Sequence, residues 1–81
     1  MTPEEIFSKM QALIVEKFMV SEDEVTMNSS FVDDFGADSV DLVDLVMSME
    51  DEFGIDEINE EELAQLKTVG SCVKYLLGKL N

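Results

Sequence analysis

The stretch Phe35-Gly36-Ala37-Asp38-Ser39-Val40-Asp41-Leu42-Val43-Asp44-Leu45-Val46-Met47-Ser48-Met49-Glu50 decides how the rest of the chain is read. It is a loop turning into a helix. Asp38 is a good N-cap, which places Ser39 in the first helical turn with its hydroxyl near the surface. At about 100° per residue, Leu42, Leu45, Val46, Met49 and Phe53 share one face, while Val40, Val43 and Met47 form a stripe on the opposite one. Asp41, Asp44, Ser48 and Asp51 flank that second stripe on one side and Glu50 on the other. The first face reads as core. The second, apolar and rimmed by acids, reads as an exposed docking surface, because a few short helices cannot enclose the helix on both sides.

Working outward, Gly54 ends this helix as a left-handed C-terminal glycine commonly does, and Ile55-Asp56-Glu57-Ile58 is a linker with two apolar anchors. Asn59 with Glu62 resembles a capping box and opens a short helix carrying Leu63 and Leu66. Thr68 caps a last helix with Val69, Cys72, Val73, Leu76, Leu77 and Leu80 inward and Lys74 and Lys79 late, where the helix dipole favours cations. Gly70 and Gly78 read as weak points in it.

In the other direction, Thr2 caps a first helix, Pro3 suits its first position and Glu5 completes a capping box. Ile6, Phe7, Met10, Leu13, Ile14 and Phe18 then give it an apolar face over about four turns. From Met19 to Ala37 the periodicity breaks. Val20, Val25, Phe31, Val32 and Phe35 are expected to pin an ordered loop to the core, with a short helical turn near Ser21 to Val25. The expected fold is all-α: one domain over residues 1–81, a small four-helix bundle. Three helices are longer, the third in order is short, and a long loop joins the first two.

Composition narrows the function. The 81 residues carry 19 acids against five lysines, a net charge of −14 at pH 7, with no histidine and one cysteine. Such a chain repels phosphate backbones and anionic lipid, so nucleic-acid binding and membrane insertion are disfavoured. Partners should carry positive patches and associate in a salt-sensitive way. No intrachain disulfide is possible, no basic-then-apolar leader is visible, and no run is long enough to span a membrane, so a cytoplasmic protein is expected, and a monomer because the exposed apolar stripe is already assigned to transient partners. Catalysis fits poorly, since nothing is at hand to activate a nucleophile; Cys72 reads as a small buried hydrophobe and Tyr75 as a half-buried packing residue. No calcium loop is complete. With Gly54 or Gly36 at the sixth position, Met49 and Phe53, or Phe31 and Phe35, fall on ligand positions. Loose divalent-cation binding to the acid clusters is expected as charge neutralisation, without a dedicated metal site.

Ser39 stands out by position, because amides and dipole at a helix start favour a negatively charged substituent there. Spacing alone goes no further. The hexapeptide Gly36-Ala37-Asp38-Ser39-Val40-Asp41, however, resembles the G-A-D-S-L-D motif of acyl carrier proteins. Glu24-Val25-Thr26, Ser30-Phe31-Val32-Asp33-Asp34, Leu45-Val46-Met47, Glu52-Phe53 and Lys67-Thr68-Val69 resemble family positions in order.

The resemblance implies a carrier whose 4′-phosphopantetheine arm is joined to Ser39 and holds acyl groups as thioesters between enzymes of fatty-acid biosynthesis. It implies a phosphopantetheinyl transferase and synthesis enzymes with basic patches as partners, docking on Asp38, Val40, Asp41, Val43, Asp44, Met47 and Glu50. It also implies shelter for the acyl chain against Phe31, Leu45, Met49, Ile58 and Leu66. A specialised carrier serving polyketide, lipid A-type or D-alanyl transfer is the alternative. Departures from the family pattern are Val40 and Phe35 in place of leucines, one extra residue between Phe53 and Ile58, Asn59 where proline is common, and Leu63 in place of alanine.

Overall fold

α1 spans Pro3–Phe18 and begins with the expected capping box: the Glu5 N–H donates to Thr2 Oγ1 at 3.2 Å and the Thr2 N–H to Glu5 Oε1 at 2.9 Å. The Thr2 N–H, and after it the Thr2 hydroxyl, hold the Glu5 carboxyl below the usual carboxylate range. The computed structural model describes residues 1–80. Ile6, Met10 and Ile14 form the buried stripe of α1, which packs chiefly on the last helix and on the helix that starts at Ser39. Its end turns through Met19, which takes a left-handed conformation (φ 56°) although it is not glycine.

The segment between α1 and Ser39 is more structured than a loop. A 3-10 turn covers Glu22–Glu24, as expected, but a further helix, α2, covers Phe31–Phe35. Among the described residues the α-helices therefore number five rather than four. Ser30 caps α2, accepting from the Asp33 N–H at 3.2 Å, while Asp34 Oδ2 accepts from the Ser30 N–H at 2.6 Å. Gly36, at φ 64°, closes it with a backbone turn most side chains resist. The helical turn also overturns one anchor: Val32 is exposed, because one turn cannot aim both Phe31 and Val32 inward. Phe31 is buried, and Phe35 stacks on Phe18 with ring centroids 5.7 Å apart and planes 16° from parallel.

α3 spans Ser39–Phe53, α4 Glu60–Leu63 and α5 Val69–Leu80. Leu45, Val46, Met49 and Phe53 are buried on α3, each such burial contributing roughly 2 kcal/mol, and Leu42 is partly buried. Gly54 ends α3 at φ 64°. α4 has the predicted capping box between Asn59 and Glu62, but it stops at Leu63, and Leu66 is buried in the turn beyond it.

Backbone hydrogen bonds tie the long connection to the start of α5. The Phe31 N–H donates to the Lys67 carbonyl, Val69 N–H to Ser29 and Gly70 N–H to Met27, the last at 2.8 Å. An isolated antiparallel bridge joins Ser30 to Thr68. Gly70 is thus not a weak point, since a Cβ there would sit 2.8 Å from the Met27 carbonyl oxygen. At Gly78 a Cβ would meet nothing within 4 Å.

Candidate functional site

Ser39 is the first residue of α3 and is exposed. Its position follows from a reciprocal cap: the Asp41 N–H donates to Asp38 Oδ1 at 2.9 Å, and the Asp38 N–H donates to Asp41 Oδ2 at 3.1 Å. The helix starts at this residue, where the first-turn amides that the cap does not take have no partner within the helix. The same carboxylates place negative charge at the electropositive end of α3, so an anion on Ser39 gains less from the helix than it would at a neutral cap. On the loop side Gly36 faces open space, and Ala37 is buried.

An apolar cleft of about 430 Å³ opens beside Ser39, walled by Phe31, Leu42, Val43, Leu63 and Leu66 and by the side of α2. Of the five residues expected to shelter a cargo, Phe31 and Leu66 line this cleft. Leu45 and Met49 are buried in the core and do not line it, and Ile58 lines an adjoining hollow that shares Val43 and Leu63 with the cleft. Leu42, Val43 and Leu63 complete the wall, and of these Leu42 and Val43 are not among the shelter residues expected from the sequence. Leu42 reads from the sequence as core and Val43 as docking stripe, and their spacing after Ser39 carries no signal of a cavity; Leu63 stands in the short helix in place of the family's alanine, where the resemblance puts the opening of the shelter.

The outward face of α3 is apolar as expected. Val40 is 75 % exposed, Val43 47 % and Met47 60 %. With Ser39 and Asp44 these three line a shallow hollow of about 400 Å³. The acids around it are not all free. Asp38 and Asp41 cap the helix, Asp44 Oδ2 accepts from Lys17 Nζ at 2.8 Å, and Glu50 Oε2 accepts from the Ile58 N–H at 2.8 Å. Those last two contacts join residues 27 and eight positions apart, beyond the reach of helix periodicity.

Around the cleft the structure is held by side-chain bonds. Tyr75 Oη donates to Glu62 Oε2 at 2.9 Å, and Lys79 Nζ lies 3.7 Å from the same oxygen, so α4 is fastened to α5. The Asn59 backbone bond, followed by the Tyr75 hydroxyl, holds the Glu62 carboxyl below the usual range. Burial, then the bond to Glu62, pushes the Tyr75 hydroxyl up to about 12. Cys72 is buried in α5, and burial pushes its thiol up to about 12 as well. Among the described residues no three Cys, Asp or Glu side chains gather as a group that could hold a metal ion, and no helix is long and apolar enough to cross a membrane.

The exposed serine, the open turn before it and the apolar cleft at its side fit a phosphoester-linked arm. Residues 8–76 match the family model described as the phosphopantetheine attachment site, which defines the class of protein. The chain is 51 % identical over 81 residues to the acyl carrier protein of Petrotoga mobilis, covering all of this chain and 94 % of that one. It is 49 % identical over 77 residues to the acyl carrier protein of Thermotoga maritima, covering 95 % and 94 %. The solved structure of the acyl carrier protein from Enterococcus faecalis superposes with a TM-score of 0.81 at 37 % identity, over 98 % of this chain and 99 % of that one. The chain belongs to the acyl carrier protein family.

Proposed function

We propose that this protein carries acyl intermediates of fatty-acid biosynthesis on a 4′-phosphopantetheine joined to Ser39. The observation that carries the reading is the placement of Ser39, an exposed hydroxyl at the lip of the one cleft walled by Phe31, Leu42, Leu63 and Leu66. The arm, when bound, supplies a terminal thiol for thioester attachment. The chain's own residues do the rest. Asp38 and Asp41 fix the helix start, so the Ser39 hydroxyl is presented to a phosphopantetheinyl transferase without reorganisation. The cleft walls remove apolar surface of a bound acyl chain from water, at roughly 25 cal/mol per Å² buried.

Docking is assigned to Asp38, Val40, Asp41, Val43, Asp44, Met47 and Glu50. The charge of −14 draws partners with basic patches, and the exposed stripe of Val40, Val43 and Met47 supplies the apolar contact once they arrive. On this reading the protein is a substrate delivered to enzymes and not itself a catalyst. The test is transfer. The protein is loaded from coenzyme A by a phosphopantetheinyl transferase, acylated, and given to fatty-acid elongation enzymes. Extension of the acyl group is expected; a loaded protein that none of them extends contradicts the fatty-acid assignment.

A further inference from the structure

The docking acids differ in how they are held, and the difference singles out Lys17. Asp38 and Asp41 bond to backbone N–H groups, which leaves their charge uncompensated by any side chain among the described residues. Asp44 is paired. Lys17 Nζ donates to its Oδ2 at 2.8 Å, and of the pairs Lys9–Glu52, Lys17–Asp44 and Lys79–Glu62 it alone includes a docking acid. The lysine is the held partner, with a side chain 21 % exposed against 67 % for Asp44. Its stem is packed, and its charge sits in the last turn of α1, where the helix dipole favours a cation. The aspartate stays open on the side it shares with Val40, Val43 and Met47.

We propose that Lys17 is a specificity residue of the docking face, acting as an internal counter-ion that a partner's cation must displace to reach Asp44. This rests on the docking role assigned to α3. A partner that places its cations on Asp38 and Asp41 binds without displacing anything. One that needs Asp44 competes with a cation already in place and gives up the worth of that pair. Lys17 therefore ranks basic partners by where their charges fall along α3, not by how many they carry.

The test uses the unmodified protein and a phosphopantetheinyl transferase at low ionic strength, with Lys17→Met keeping the packed stem and removing the charge. Lys74→Met, on the exposed side of α5, makes the same change in net charge away from the docking face. Lys17→Met is expected to lower KM about threefold with kcat unchanged, the size of an exposed ion pair, and Lys74→Met to change it by much less. In an Asp44→Asn background the gain from Lys17→Met should shrink to that of Lys74→Met. Asp44→Asn alone is expected to raise KM, which marks the transferase as a partner that needs Asp44; no such rise, equal KM values for the two lysine variants, or a gain that persists without Asp44 overturns the inference while leaving the carrier reading intact. Failure of the wild type to be loaded at all removes that reading and the inference with it. Should Lys17→Met not melt cooperatively, Lys17→Gln reads the same quantity.

Discussion

The carboxylate of Glu50, on α3, accepts a hydrogen bond from the backbone N–H of Ile58 at 2.8 Å. It fastens the linker after α3 to the helix and keeps Ile58 buried at the foot of α4, whose Leu63 walls the cleft beside Ser39. Glu50→Ala should cost about 2 kcal/mol, because it leaves a half-buried N–H without its charged acceptor. Glu50→Gln keeps an acceptor and removes the same charge, so it should cost less than half as much. Urea denaturation of the pair measures this; equal stabilities would mean that the bond contributes nothing.

The two glycines of α5 should respond in opposite directions to alanine. At Gly78 the new methyl meets open space, and Gly78→Ala should stabilise by roughly 0.5 kcal/mol through helix propensity. At Gly70 it would meet the Met27 carbonyl oxygen at 2.8 Å, and Gly70→Ala should cost about 1–2 kcal/mol despite the same propensity gain. Thermal melts of both variants at matched ionic strength decide the signs.

Acid should remove the contribution of Glu62. Its carboxyl is lowered from 4.5 in the folded protein by the Asn59 N–H and then the Tyr75 hydroxyl. A carboxyl lowered on folding stabilises above its unfolded value and loses that stabilisation as pH falls through the folded value. The stability difference between wild type and Glu62→Gln should therefore be constant from pH 7 to about 5 and shrink progressively as pH falls below 4.5 toward the lowered folded value. Taking the difference cancels the relief of self-repulsion that protonation brings to every acid of so acidic a chain. A difference that grew below pH 4.5 would contradict the assignment.

The Cys72 thiol, buried in α5 and raised to about 12, should be inert toward thiol reagents in the native protein. Its labelling rate should follow unfolding, rising with urea in step with the loss of helical circular dichroism. Labelling in native buffer at the rate of a free peptide thiol would place Cys72 outside the core.

The parts of the fold that were legible are those marked by local chemistry. Asp38 and Gly54 bound α3 at the residues expected, and the two faces of that helix separate as the spacing of Leu45, Met49, Val43 and Met47 dictates. The caps at Thr2, Asn59 and Thr68 were legible for the same reason. α2 was not, because five residues are too few for a period to show; its signals were the Ser30 cap and Gly36 beyond, both of which also read as loop. Gly70 reads from the sequence as a weak point because propensity is a property of the helix alone, while its role is set by the Met27 carbonyl.

For the site, the exposure of Ser39 followed from the Asp38 cap and that of the Val40, Val43 and Met47 stripe from periodicity. The cleft and the internal partners of Asp44 and Glu50 did not, because they join residues from different helices. Phe35, a departure from the family pattern, is explained by its stack on Phe18. Nothing in the structure explains Val40 in place of leucine.

The central claim is the attachment of phosphopantetheine to Ser39. Intact-mass measurement after incubation with coenzyme A and a phosphopantetheinyl transferase tests it directly, run on the wild type and on Ser39→Ala. The wild type should gain the mass of one phosphopantetheine and Ser39→Ala none, with both proteins folded. No gain in the wild type, or a gain that survives the substitution, would contradict the account.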